Sequence, residues 1–206
     1  MTSASPFFEL EDRAVATLLR LISEDGTNRL TRACVLALTD QIIELAEQPR
    51  PLIITGNDHF FSAGADLNEI AELNGPEAYE FAKLGQRLMQ LIEDFPFPVC
   101  AAIHAYCMGG GLDLALACHL RIAHPRAIFG HRGAALGLIT GWGGTQRLSR
   151  LIGKSRALKM FVAAEKPTAA QALDMGLISC VSEHPIAETI RILEAQRPDP
   201  DQCSPA

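Results

Sequence analysis

Short apolar runs, each closed by proline, glycine or asparagine, alternate along this chain with longer stretches in which apolar residues return every three or four positions. The first pattern reads as buried strand and the second as amphipathic helix. Phe7–Glu11 and Ala14–Leu21, separated by Asp12-Arg13, predict the two strands of a hairpin. Thr31 is placed to cap a helix on which Val35, Leu38, Ile42 and Leu45 recur, and Pro49 and Pro51 stop it. Leu52–Thr55 predicts a short buried strand that turns at Gly56-Asn57-Asp58. Phe60-Phe61 then leads into Ser62-Ala-Gly-Ala-Asp66, where a further helix begins. Asn74 and Pro76 open the longest helix, with a stripe of Ala78, Phe81, Leu84, Leu88, Leu91 and Phe95. Pro96 and Pro98 end it before the strand Val99–Ile103.

Three glycines, Gly109–Gly111, stand between that strand and a helix over Leu112–Cys118. Strands are expected around Leu120–Ala123 and Ala127–Gly130, with a turn at Pro125. From Gly143 onward the chain reads as helices at Thr145–Leu151, Ser155–Ala163 and Ala169–Met175, the last capped by Thr168 and closed by Gly176. Leu177–Val181 resembles a final strand, and Pro185 to Ala195 a short helix. The alternation implies an α/β fold in one domain over residues 1–195, followed by a polar tail, 196–206, read as disordered.

Composition narrows the class. With 48% hydrophobic and 20% charged residues, the 206-residue chain can bury a substantial core. A net charge of −6 without a basic cluster argues against nucleic acid or an anionic membrane surface as partner. The N-terminus lacks the basic and apolar regions of a leader, and no apolar stretch reaches the ~18 residues of a membrane span. Six cysteines without a C-x-x-C pair, mostly in apolar stretches, suit the cytoplasm. His104, His119, His124 and His184 show no ligand spacing, so no metal is expected.

The glycines carry the candidate chemistry. The first N–H groups of a helix lack internal partners and give its start a partial positive charge. Gly109–Gly111 precede one helix, and Ser62–Asp66, after the strand Leu52–Thr55, has the same construction. Side by side, the two helix starts would present two N–H groups to one oxygen, an oxyanion hole. Such small residues also serve as packing or turn devices, or as a phosphate cradle. Neither segment matches G-x-x-x-x-G-K-[ST], G-x-G-x-x-G or G-x-S-x-G.

Phe60-Phe-Ser-Ala-Gly-Ala-Asp-Leu67, the segment from Pro98 to Ala115, Gly141-Trp-Gly-Gly-Thr-Gln-Arg147 and Ala169–Ile178 together resemble the crotonase (enoyl-CoA hydratase/isomerase) superfamily. Asn28-Arg-Leu falls where that family tends to carry Asn-Ala-Leu, and the likeness runs from about residue 14 to 183. The resemblance implies a spiral of ββα units, assembled as a homotrimer or hexamer, with an acyl thioester as ligand. No separate cofactor is implied, because coenzyme A or phosphopantetheine arrives as part of the substrate. It places the thioester oxygen at the N–H groups of Ala65 and Gly110. Ala63, Asp66, Leu67 and Gly109 are expected at the substrate beside them.

Departures from the family pattern bear on the reaction. The first of the hydratase glutamates aligns with Asp113, and the second with Gly133, which has no acid. Related dienoyl isomerases use aspartate at the first position, with further acids where this chain has Gly133 and Gly141. His131, two residues before the missing acid, is a candidate second proton carrier if its segment is extended. Gly133, Thr140 and Trp142 are expected to shape the acyl pocket, and His59 the entrance. The C-terminal helical region is shorter than the family's, which predicts a more open pocket covered by a partner subunit. The function expected is a thioester lyase or isomerase acting through an enolate, and two-glutamate hydration fits poorly. The alternatives are a decarboxylase or dehydratase acting on a carrier-protein thioester in polyketide-type biosynthesis, and a non-catalytic acyl-CoA-binding protein.

Overall fold

The central strands read as unbroken apolar runs because both faces of their sheet are covered. The computed structural model describes residues 5–131 and 133–196, so the tail expected beyond residue 196 lies outside the described residues. Strands β1 (Phe8–Arg13) and β2 (Ala16–Leu21) form an antiparallel hairpin. The chain continues through β3 (Arg29–Leu30), α1 (Arg32–Leu45), β4 (Leu52–Thr55), β5 (Phe60–Ser62), β6 (Gly64–Ala65), α2 (Leu67–Glu72) and α3 (Gly75–Glu93). After these come β7 (Val99–Ile103), β8 (Tyr106–Met108), α4 (Gly110–Ala117), β9 (Leu120–Ala123) and β10 (Ile128–Gly130). A 3-10 turn, Gly133–Leu136, leads to α5 (Gly144–Ile152), α6 (Lys154–Val162), α7 (Ala169–Asp174), β11 (Cys180–Val181) and α8 (Pro185–Ala195).

The larger sheet has the order β1-β2-β4-β7-β9-β11, parallel from β2 onward, and a second sheet runs β5-β8-β10. The successive pairs β4 and β5, β7 and β8, and β9 and β10 each add one strand to each sheet before the next helix, which is the spiral of ββα units, while β3 pairs with β6. Leu18, Ile53, Cys100, Ala102 and Ile122 form one cluster with Leu193 of α8. Their neighbours Leu19, Leu52, Ile54, Ala101 and Ile103 join the main core with Val35 of α1, Leu88 of α3 and Leu112 of α4. Alternation by two along each strand produces this split.

Local signals position the helices as expected. The Thr31 side chain accepts from Cys34 N, and Asn74 and Thr168 each form a reciprocal capping box. Three expectations are corrected. The hairpin turns at Ala14-Val15, not Asp12-Arg13, because β1 is half exposed and carries polar residues to its end. The buried stripe of α3 is Phe81, Gly85, Leu88, Met89 and Ile92, while Ala78 is exposed. The expected strand Leu177–Val181 is paired only at Cys180–Val181.

Arg121, buried on β9, donates to the carbonyls of Ala115 at 3.3 Å and Cys118 at 2.5 Å, and to that of Leu177 at 2.8 Å. A cation at the carbonyl end of α4 complements the helix dipole. It anchors the helix whose opposite end carries the glycines.

Candidate functional site

Two loops meet at the start of α4. Gly64 has φ +94°, and a methyl group there would lie 2.6 Å from the Met108 carbonyl oxygen and 2.8 Å from the Gly110 nitrogen. Only glycine permits both the dihedral and the approach. The Ser62 hydroxyl is buried between the loops, donating to Asn28 O at 2.6 Å and accepting from Gly64 N at 3.0 Å. Asn28, itself at φ 52°, donates through Nδ2 to Phe60 O at 3.0 Å. From the other side, Gly109 N donates to Gly130 O at 2.8 Å. A methyl on Gly110 would lie 3.2 Å from the Ala65 nitrogen, so the Ala65 and Gly110 backbones are neighbours. The Gly110 N–H belongs to the first turn of α4, where no intrahelical acceptor exists. Such a pair of N–H groups suits an oxygen that gains negative charge.

Asp113 lies one turn further along α4 and is fully buried. Its Oδ2 accepts a hydrogen bond from the Thr140 hydroxyl. Its Oδ1 lies 3.4 Å from His131 Nε2, and neither of these two buried atoms has a hydrogen-bond partner. Burial raises the Asp113 carboxyl to about 7, against the lowering effects of the Thr140 hydrogen bond and the Arg147 charge. Burial pushes His131 the other way, down to about 4. Asp113 thus changes protonation near neutrality while His131 is held neutral. The expected extended segment at His131 is not found: β10 ends at Gly130 and the 3-10 turn starts at Gly133, so His131 enters from the link between them. Its ring packs against Phe161 with centroids 5.0 Å apart.

A cavity of about 800 Å³ opens over these groups, lined mostly by apolar side chains from α2, α3, α6 and the 3-10 turn. Ala63, Ala65, Leu67, Gly109, Gly110, Asp113, His131, Gly133, Thr140 and Trp142 all line it. Asp66 does not. Its carboxylate caps α2, accepting from Asn68 N and Glu69 N. His59 is also absent from the lining. Trp142 is buried, with its ring against Gly85 and Gly110 and its Nε1 donating to Phe81 O at 3.3 Å. At Gly133, a methyl would lie 2.6 Å from the Leu138 carbonyl oxygen. Leu138 N donates back to Gly133 O at 2.8 Å, so the turn is built around a glycine and leaves a larger side chain no room. Among the described residues Asp113 is the one carboxylate lining the cavity.

The structure adds a residue that the sequence reading passed over. A methyl on Gly144 would lie 1.9 Å from Asp113 Oδ1 and 3.0 Å from Thr140 Cγ2. The doubled glycine after Trp142 was the available signal. Gly144→Ala is expected to displace the carboxylate and lower turnover on the order of 10²-fold, since small misplacements of a reacting group have effects of that size. Thermal melting should move by only a few degrees. Wild-type turnover in this variant would show that Asp113 need not sit where it does.

Comparison with known proteins places these features in context. The family model described as enoyl-CoA hydratase/isomerase matches residues 14–195. A probable enoyl-CoA hydratase of Bacillus subtilis (strain 168) is 48% identical over 131 residues, covering 63% of this chain and 51% of the relative. The chain thus spans about half the length of that curated relative. Among solved structures, DspI of Pseudomonas aeruginosa superposes with a TM-score of 0.89 at 31% identity, over 96% of this chain and 84% of that one. An enoyl-CoA hydratase from Bacillus anthracis gives a TM-score of 0.85 at 34% identity, over 92% and 76% respectively.

Proposed function

Because this chain belongs to the enoyl-CoA hydratase/isomerase family, we propose that it shifts the double bond of an enoyl thioester through an enolate, with Asp113 as the base. The observation that carries the reading is the single carboxylate beside the paired backbones of Ala65 and Gly110. Water addition in the family manner uses two carboxylates, one on each side of the reacting bond. A double-bond shift removes one proton and returns one proton, so it needs no second carboxylate.

In the proposed step, ionised Asp113 takes the α-proton of a 3-enoyl thioester. The C–H electrons form a double bond between the thioester carbon and the α-carbon, and the carbonyl π electrons move to the thioester oxygen, which gives a dienolate with the β,γ double bond still in place. The Ala65 and Gly110 N–H groups hold that oxygen. Fixed donors at such a position supply about 3–4 kcal/mol each. The proton then returns at the γ-carbon, giving the conjugated 2-enoyl thioester. Leu67, Ile70, Phe81, Trp142 and Phe161 surround the acyl chain and exclude water, which favours an apolar acyl group. Ala63 and Gly109 line the thioester end. A coenzyme A carrier, and assembly as a trimer or hexamer, belong to the same proposal.

A panel of 3-enoyl and 2-enoyl thioesters, on coenzyme A and on phosphopantetheine, tests the reading. Conjugation gives an absorbance rise on isomerisation and a loss on hydration. Turnover of 3-enoyl substrates should exceed hydration of 2-enoyl ones at least about tenfold, the reach of one acid/base group being smaller for a two-acid reaction. Faster hydration would overturn the isomerase assignment, and tight binding without turnover of any member would make the protein a thioester-binding homologue.

A further inference from the structure

We propose that Asp113 and His131 form one proton-sharing pair, in which His131 takes the proton from Asp113 and delivers it to a second carbon of the substrate. The proposal rests on the double-bond shift above and names the group that completes it. The geometry is specific. Asp113 Oδ1 and His131 Nε2 lie 3.4 Å apart, both without a hydrogen-bond partner, and both residues line the cavity. A buried polar atom without a partner costs stability, so two such atoms facing each other require an occupant. A proton on the pair meets that requirement, and so does a reacting hydrogen.

The surroundings keep the two groups in place. Thr140 ties up the other carboxylate oxygen, and Gly144 leaves no space behind Oδ1. Phe161 packs on the imidazole from α6. Arg147, the nearby cation on α5, donates to Glu93 at 2.6 Å and to the Trp142 carbonyl at 3.1 Å, so it is occupied elsewhere. Burial favours the uncharged form of both groups, so once Asp113 has taken a proton it faces a neutral His131, and transfer to Nε2 is a brief, uphill step. The proton balance then closes. The α-hydrogen goes to Oδ1 as the dienolate forms, passes from Oδ1 to Nε2, and leaves Nε2 for the γ-carbon as charge returns from the thioester oxygen. Asp113 ends ionised and His131 neutral, ready for another cycle. The position where the family has a second acid is closed at Gly133, and His131 supplies a proton-carrying group from two residues earlier.

Two readouts test the pair. In substrate-free protein, carboxyl-carbon NMR follows Asp113 across the pH range in wild type and His131→Gln. A shared proton predicts that the Asp113 midpoint moves by about one pH unit or more when His131 is replaced, the mark of two groups that interact. An unchanged midpoint overturns the pair whatever the reaction proves to be. The second readout is isomerisation of a 3-enoyl thioester. His131→Gln should lower kcat by about 10²-fold with KM little changed, and a melting curve like that of wild type confirms the fold. In His131→Gly, added imidazoles should restore turnover in proportion to their basicity. Unaltered kcat in the glutamine variant, or rescue that ignores basicity, overturns the relay. If no 3-enoyl thioester turns over in wild type while the Asp113 midpoint still moves, the double-bond shift fails and the proton pair stands.

Discussion

Asp113→Asn is expected to lose about 10²–10⁴-fold in turnover, the range supplied by a positioned acid/base group, and to be more stable than wild type above neutral pH. The amide keeps an acceptor for Thr140 and turns an N–H toward His131, so the pocket and KM should change little. The stability gain follows from the raised carboxyl. Folded Asp113 holds its proton up to about 7, whereas an unperturbed aspartate releases it near 3.8. Between those values the folded state binds the extra proton, and stability falls as pH rises through them. Asparagine cannot ionise and escapes that loss. The difference between variant and wild type should be absent near pH 4 and reach a few kcal/mol above pH 7. His131, lowered from 6.5 to about 4 by burial, acts in the opposite sense, since stability falls as pH drops through that window. It is present in both proteins. Denaturant unfolding at pH 4, 6 and 8 checks the sign, and a variant less stable than wild type at pH 8 would refute buried, desolvated Asp113. Wild-type activity should rise with pH toward a plateau above about 7, as the base becomes ionised.

Gly64→Ala should be damaging for a different reason. A methyl at φ +94° is strained, and it would also meet the Met108 carbonyl oxygen at 2.6 Å and the Gly110 nitrogen at 2.8 Å. Both neighbours are backbone, so no side chain can swing aside. The loops must separate, moving the Ala65 N–H from that of Gly110. Stability should fall by about 2–4 kcal/mol, the scale of combined strain and overpacking, and turnover by about 10²–10³-fold, as when one donor to a developing oxyanion is lost. Gly26→Ala is the matched control. It has φ +69°, but its nearest contact would be the Asn57 side chain at an ordinary 3.7 Å. It should lose about 1 kcal/mol for the left-handed backbone alone and keep its turnover. Equal loss of turnover in both variants would show that close approach at Gly64 is not what matters.

Much of the fold was legible because it is encoded locally. Leu52–Thr55 and Val99–Ile103 read as strands and are strands, since burial on both faces leaves a largely apolar run, and Leu120–Ala123 is a strand despite Arg121, whose buried guanidinium is bonded to carbonyls. Thr31, Asn74 and Thr168 cap the helices they precede, because a cap satisfies donors only three residues away. Errors arose where packing overrode pattern. The α3 stripe includes Gly85 because the Trp142 ring occupies the space where a side chain would stand. Strand β8, Tyr106–Met108, was missed because three residues carry no period, and its pairing with β5 and β10 is wholly non-local.

The candidate site divides along the same line. By itself the sequence determined the strand-to-helix glycine turns, the acid placed three residues beyond Gly110, and the absence of an acid at position 133. Those are matters of residue type and short spacing. Tertiary structure decided what surrounds that acid: Thr140 on one oxygen, His131 opposite the other, and Gly144 behind it. It also decided that Asp66 caps a helix while Asp113 is fully buried, which is why two aspartates near the same glycines differ in chemistry. A carboxyl's basicity depends on what lies within a few ångströms in space, and the partners of Asp113 lie 18 or more residues away along the chain.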